Sequence, residues 1–125
     1  KSDDLKKLFD KIKKKLNQNG KILISTPAKD AIAHILKKNR WIGFKDPTHI
    51  NLKNYDEWKI FFNTINLKLV KCSNDGLWDF PYSANIFNFK FLKILILMFF
   101  QIFLGFMLLK HNEGETLIFI LEKND

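Results

Sequence analysis

Apolar residues recur at spacings of three and four from the start of the chain. Leu5, Leu8, Phe9, Ile12 and Leu16 fall on one face of a helix. Ser2 is placed to cap it, and Asp3 and Asp4 suit the positive end of the helix dipole. Asn19-Gly20 predicts its end, with Gly20 in the left-handed conformation. Lys21 to Thr26 carries an unbroken Ile-Leu-Ile run, as in a strand buried on both faces, and Pro27 stops it. Asp30 to Lys38 predicts a short helix with Ala31, Ile32, Ile35 and Leu36 inward, followed by a loop from Asn39 to Lys53. Asn54, with Glu57 three residues on, forms a capping-box pattern. Tyr55, Trp58, Phe61, Phe62 and Ile65 make the apolar face of the helix it opens.

Two further strands are predicted. Leu67 to Cys72 carries Lys68 and Lys71, which suit a sheet edge. Glu115 to Leu121 holds the apolar run Leu-Ile-Phe-Ile-Leu, which belongs inside a sheet. The last strand in sequence is therefore expected to be more central than the one before it, between the other two. Residues 73–114 form a long insertion between these strands. Its first part is polar and aromatic, with Asp75, Trp78, Asp79, Phe80 and Tyr82. Its second part, Ile94 to Leu109, is apolar apart from Gln101 and Gly105.

That apolar stretch is 16 residues long, about 24 Å of helix, whereas a bilayer core needs about 30 Å. A single span would also carry Glu115 to Leu121 across the membrane from its sheet. Residues 87–109 are therefore expected to form one helix, or two broken near Gln101 to Gly105. The expected position is on the domain, against a second subunit, or flat on a membrane surface.

Composition narrows the classes. The chain has 125 residues, 46% of them hydrophobic, and a net charge of +8. It begins with Lys1 in mid-pattern and reads as a piece of a longer protein. Most of the positive charge is lysine on solvated helix faces. Arg40 is the single arginine, and nucleic-acid surfaces favour arginine for its planar fork, so no nucleic-acid partner is expected. Cys72 is the single cysteine, and His34, His49 and His111 lie far apart, so no disulfide or metal site is expected. The implied setting is cytoplasmic, with possible peripheral contact to a membrane.

The segment from Leu16-Asn17-Gln18-Asn19-Gly20 through Lys21 to Pro27 resembles the helix-glycine-strand passage into the fifth strand of class I S-adenosylmethionine-dependent methyltransferases. Asp46-Pro47-Thr48-His49-Ile50 ahead of a capped helix is similar to the element before their sixth strand. Gly114 to Lys123 resembles their seventh strand, which runs antiparallel between the fifth and sixth. The resemblance covers the chain except residues 86–112. It implies an α/β fold: part of a Rossmann-like methyltransferase sheet, the whole chain being the C-terminal part of one domain with a helical insertion at about 73–114. It implies S-adenosyl-L-methionine as cofactor, bound mainly by an N-terminal half carrying the glycine-rich loop and the ribose-binding acid, and no cofactor-binding residue within this chain. The fragment alone is then expected to be inactive, and the acceptor to be a small molecule, a glycan or a lipid-linked compound.

Within that frame His49 is the candidate catalytic residue, as base or as contact to a substrate hydroxyl or carboxylate. Arg40, Trp41, Asp46, Thr48, Trp78 and Tyr82 are the candidate substrate-binding residues, with Asp75 and Asp79 beside the last two. Two readings of other classes stand beside this one. They are a basic membrane-associated interaction module without catalysis, and half of a different α/β nucleotide-cofactor enzyme.

Overall fold

The computed structural model of the chain describes residues 2–79, 81–82 and 89–124. The Ser2 side chain, Phe80 and residues 87–88 of the expected long helix lie outside the described residues. The elements in order are α1 (Ser2–Lys15), β1 (Lys21–Pro27), α2 (Ile32–Lys37), a 3-10 turn (Lys38–Arg40), α3 (Ile42–Lys45), α4 (Tyr55–Thr64), β2 (Leu67–Asn74), α5 (Phe89–Leu104) and β3 (Thr116–Lys123).

The three strands form one sheet in the order β1-β3-β2, with β3 antiparallel to both neighbours. This is the expected arrangement, and its cause is visible in the side chains. Leu117, Phe119 and Leu121 of β3 are fully buried, whereas β2 exposes Lys68 and Lys71 along an edge. Lys68 pairs across the ladder with Glu122 at 2.9 Å. A bulge between Leu69 and Lys71 adds one unpaired residue to β2, a common device at sheet edges.

Helices α1 and α4 cover one face of the sheet. Trp58 and Phe62 of α4 stack with ring centroids 5.4 Å apart, and Phe62 meets Phe119 edge-on at 5.0 Å. Phe9 of α1 closes the cluster against Phe62 at 6.1 Å. The capping box forms as the sequence indicates. Asn54 Oδ1 accepts from the Glu57 amide at 2.8 Å, and Glu57 Oε2 accepts from the Asn54 amide at 2.8 Å.

Four local expectations need correction. Leu8 lies outward, because at about 100° per residue it falls on the flank of the stripe set by Leu5, Phe9, Ile12 and Leu16. In α2, Ile35 is exposed and Ala33 takes its place in the core. Gly20 is not left-handed; positive φ among glycines belongs to Gly76 and Gly105. What excludes a side chain at Gly20 is space, since a Cβ would sit 2.7 Å from the Leu16 side chain. Finally, β1 is not buried on both faces. Ile22 is buried but Leu23 is 71% exposed, because strand alternation points it to the face away from α1 and α4. The other edge of β1 pairs with no strand among the described residues.

The apolar insertion folds onto the opposite edge of the sheet. Helix α5 ends at Leu104, and Gly105 follows with φ 68°, the usual left-handed stop. The helix stops within the region where a break was expected, but no second helix follows it among the described residues, and 106–109 are not helical. Gln101 is buried. Its amide donates to Asn74 O at 3.1 Å, and its Oε1 accepts from the Leu108 and Leu109 amides at 2.8 and 3.2 Å. No helix among the described residues is long and apolar enough to cross a membrane.

Candidate functional site

The parallel strands β1 and β2 both point their carboxyl ends toward the loop 46–53 and the insertion. In open α/β sheets this is the end at which ligands collect. A cleft of about 310 Å³ opens there, lined by Ser25, Thr26 and Pro27 of β1, the loop residues from Thr48 to Leu52, and Leu5 and Trp58 from the two covering helices. The loop is strapped to the strand end: Ala28 and Lys53 form a parallel bridge, and the Lys29 amide donates to Lys53 O at 3.1 Å.

Asp46 organises the loop locally. Its Oδ1 accepts from the Thr48 amide at 2.8 Å and from the Thr48 hydroxyl at 2.6 Å, a turn closed by the side chain. These two bonds hold the Asp46 carboxyl below the usual range. Asp46 is thus a positioning residue in the loop rather than a group facing the cleft. His49 Nδ1 lies 3.1 Å from Gly43 O. A carbonyl only accepts, so Nδ1 carries the proton and donates. The second ring nitrogen, Nε2, stands 3.9 Å from Asp46 Oδ2. The imidazole lines the cleft with its tautomer set by the backbone behind it.

The structure gathers Asp46, Thr48 and His49 and separates the other candidates from them. Arg40 is exposed at the end of the 3-10 turn, outside the cleft lining. Trp41 is 1% exposed and belongs to the core, where its ring fills the space over Gly43 and meets Phe44 edge-on at 5.4 Å. A side chain so placed presents no surface to a substrate. The indole nitrogens of Trp41 and Trp58 have no hydrogen-bond partner among the described residues. Trp58 is the one of the two that lines the cleft.

Trp78 and Tyr82 belong to a second cluster, built around Glu115. Glu115 Oε1 accepts from the Trp78 amide at 2.7 Å, from the Asp79 amide at 2.8 Å and from the Tyr82 hydroxyl. Asp79 pairs with Lys37 of α2 at 2.7 Å, and the Lys37 ammonium stands over the Tyr82 ring, 5.0 Å from its centroid. Tyr82 is buried, whereas the Trp78 indole is half-exposed and donates to Asp75 O at 3.1 Å. Asp75 Oδ1 accepts from the Thr116 amide at 3.1 Å. Burial pushes the Asp75 carboxyl up to about 6. This cluster ties the insertion to the sheet and to α2.

Glu115, Lys37 and Gln101 were not singled out as site residues by sequence reasoning. The available signal was their setting, since Glu115 opens and Gln101 interrupts an otherwise apolar run. Cys72 is half-buried, and burial raises its thiol to about 12, which makes it a poor nucleophile. Among the described residues no group of three or more His, Cys, Asp or Glu side chains is placed to hold a metal ion. His111 stacks on Tyr55 at 4.2 Å, and His34 lies 4.4 Å from the Phe44 ring, so both serve packing. No protein-family model, no curated protein and no solved structure matches the chain.

Proposed function

We propose that this chain is the C-terminal half of a class I S-adenosylmethionine-dependent methyltransferase domain, acting on a small-molecule, glycan or lipid-linked acceptor. The observation that carries the reading is the strand order β1-β3-β2 with the last strand antiparallel and inserted. These are the relative positions of the fifth, seventh and sixth strands in the family that the sequence resembles. The unpaired apolar edge of β1 and the outward Leu23 agree with it, since a fifth strand has a fourth beside it and helices on both sheet faces.

In this reading the cleft at the carboxyl end of β1 receives the acceptor, and His49 orients it. The cofactor, held mainly by an upstream half, would supply an electrophilic methyl group to the lone pair of the acceptor. A good nucleophile needs mainly alignment for this step, and a hydroxyl acceptor also needs its proton taken, a role open to His49 Nε2. No glycine-rich cradle for the cofactor is present in these 125 residues, so its binding would rest on an upstream half.

Titration calorimetry with S-adenosylmethionine tests the proposal on two proteins, this chain alone and the complete reading frame that contains it. Stoichiometric binding by the longer protein and none by the 125-residue chain is expected. Tight binding by this chain alone would show the cofactor site to be misplaced. Absence of binding by the longer protein would end the methyltransferase reading.

A further inference from the structure

We infer that α5 and the segment after it form a docking surface for an anionic lipid bilayer, lying flat in the interface. The inference stands on different residues from the methyltransferase reading and does not depend on it. Helix α5 is apolar apart from Lys90, Lys93 and Gln101. One side packs on the domain through Phe91, Ile94 and Met98, with Gln101 buried among them. The opposite side presents Leu92, Ile96, Phe99 and Phe103 to the outside, with Phe99 64% and Phe103 79% exposed, and Phe106 continues the surface beyond the helix. The rings of Phe99 and Phe103 stack nearly parallel at 6.3 Å, one turn apart. A soluble helix normally turns charge outward; one apolar on both sides belongs in a core or against lipid.

The helix cannot roll to hide these rings. Hydrogen bonds of Gln101 hold one face to Asn74 and to the 108–109 backbone, and Met98 fills the space over Gly76. The outward face is therefore a fixed feature, and something must cover it.

Charge selects the occupant. Residues 80–112 contain no aspartate or glutamate, and Lys90 and Lys93 stand near the start of the apolar face, with Lys110 close to Lys93 at Glu113. Lys93 shares Glu113 at 2.9 Å, with its side chain still half-exposed. An apolar strip with lysines gathered at its margin is the pattern of a helix that inserts among headgroups, its cations meeting anionic lipid. A second copy of the same chain would bring a second +8 charge and the same lysines to the same patch. An upstream half would join at the free edge of β1, whereas α5 is anchored beside Asn74 at the end of β2, the opposite edge. The 16 residues of α5 reach about 24 Å, short of the roughly 30 Å core, so the helix rests in the interface.

Flotation of the 125-residue protein on vesicles of phosphatidylcholine with phosphatidylserine tests the inference, with vesicles of phosphatidylcholine alone as the comparison. Flotation on the anionic vesicles, weakened by salt, is expected. The doubly substituted Phe99→Asp/Phe103→Asp protein should lose at least about tenfold in partitioning, as expected when buried phenylalanines are removed. These side chains are exposed, so its circular dichroism should match wild type. Lys90→Glu/Lys110→Glu should reduce flotation on anionic vesicles and leave any binding to neutral ones unchanged. Equal flotation on both vesicle types overturns the anionic preference. No flotation, with sedimentation showing a dimer that Phe99→Asp/Phe103→Asp dissociates, overturns the inference and assigns the face to a second copy. No flotation and a monomer overturns it outright.

Discussion

Glu115→Ala tests whether one carboxylate fastens the insertion to the sheet. Glu115 is buried at the entrance to β3, and its Oε1 accepts from the Trp78 amide, the Asp79 amide and the Tyr82 hydroxyl. Alanine leaves all three donors without that partner. A donor stranded in a buried place costs about 1–3 kcal/mol. Water can reach the half-exposed Trp78 and Asp79 region, which puts the two amides near the low end, while Tyr82 is buried. Removing the carboxylate also removes its own desolvation cost, which offsets part of the loss. The net expectation is about 2–4 kcal/mol. For 125 residues the entropy of unfolding is about 0.26 kcal/mol per kelvin, so the melting temperature should fall by about 8–15 °C. Glu115→Gln keeps an oxygen acceptor and loses only the charge assistance, so about 1 kcal/mol and about 4 °C are expected. Thermal unfolding by circular dichroism measures the loss, and amide exchange locates it at Trp78 and Asp79. An alanine variant that melts within about 2 °C of wild type, with those amides still protected, would refute the reasoning. A glutamine variant as damaged as alanine would refute the counting of acceptors.

Three further outcomes are expected. Burial raises the Asp75 carboxyl to about 6 from 3.8, so the folded state keeps a proton that the unfolded chain has released between these values, and stability should fall as pH rises through that window. Asp75→Asn, whose oxygen can still accept from the Thr116 amide, should therefore match wild type near pH 4 and melt higher near pH 7; a difference constant with pH would contradict this. Gly114→Ala should cost about 1–3 kcal/mol, because a Cβ would overlap Asn74 Oδ1 and come within 2.6 Å of Gly76 O, and an unchanged melting curve would show that the turn relaxes freely. In the complete reading frame, His49→Ala should lower turnover while leaving cofactor affinity and melting temperature near wild type; parallel losses of stability and activity would assign His49 to loop packing.

What could be read from the sequence was what depends on near neighbours or on one strand's own residues. The Asn54–Glu57 capping box spans three positions and forms as its pattern indicates. The sheet order followed from comparing Lys68 and Lys71 with the apolar run of β3, because an edge strand must tolerate water and a central one need not. Leu23 failed for the complementary reason. An Ile-Leu-Ile run records that a strand meets apolar surface, and not whether both surfaces lie among these residues; Leu23 has none. Trp41 failed because an aromatic beside the single arginine looks like a ligand-binding pair, whereas Gly43 opens the space that the ring fills. Gly20 was a correct stop with the wrong cause, steric rather than torsional.

The hydrogen bonds that join the insertion to the sheet link residues 27 to 41 positions apart, and no local window contains both partners. Yet their acceptors were conspicuous. Gln101 interrupts the apolar run from Ile94 to Leu109, and Glu115 stands two residues before the one from Leu117 to Leu121. A polar group carried into a dry interior by its neighbours must find partners or destabilise the fold, and the partners left over in a folded chain are backbone groups of irregular segments. Gln101 bonds the Asn74 carbonyl at the end of β2 and the Leu108 and Leu109 amides, and Glu115 serves two amides and a hydroxyl. In each case the polar residue fastens an irregular segment to regular structure: residues 108–109 to α5, and Trp78, Asp79 and Tyr82 to the start of β3. The outward phenylalanines of α5 have no such residue among them, and their face stays exposed.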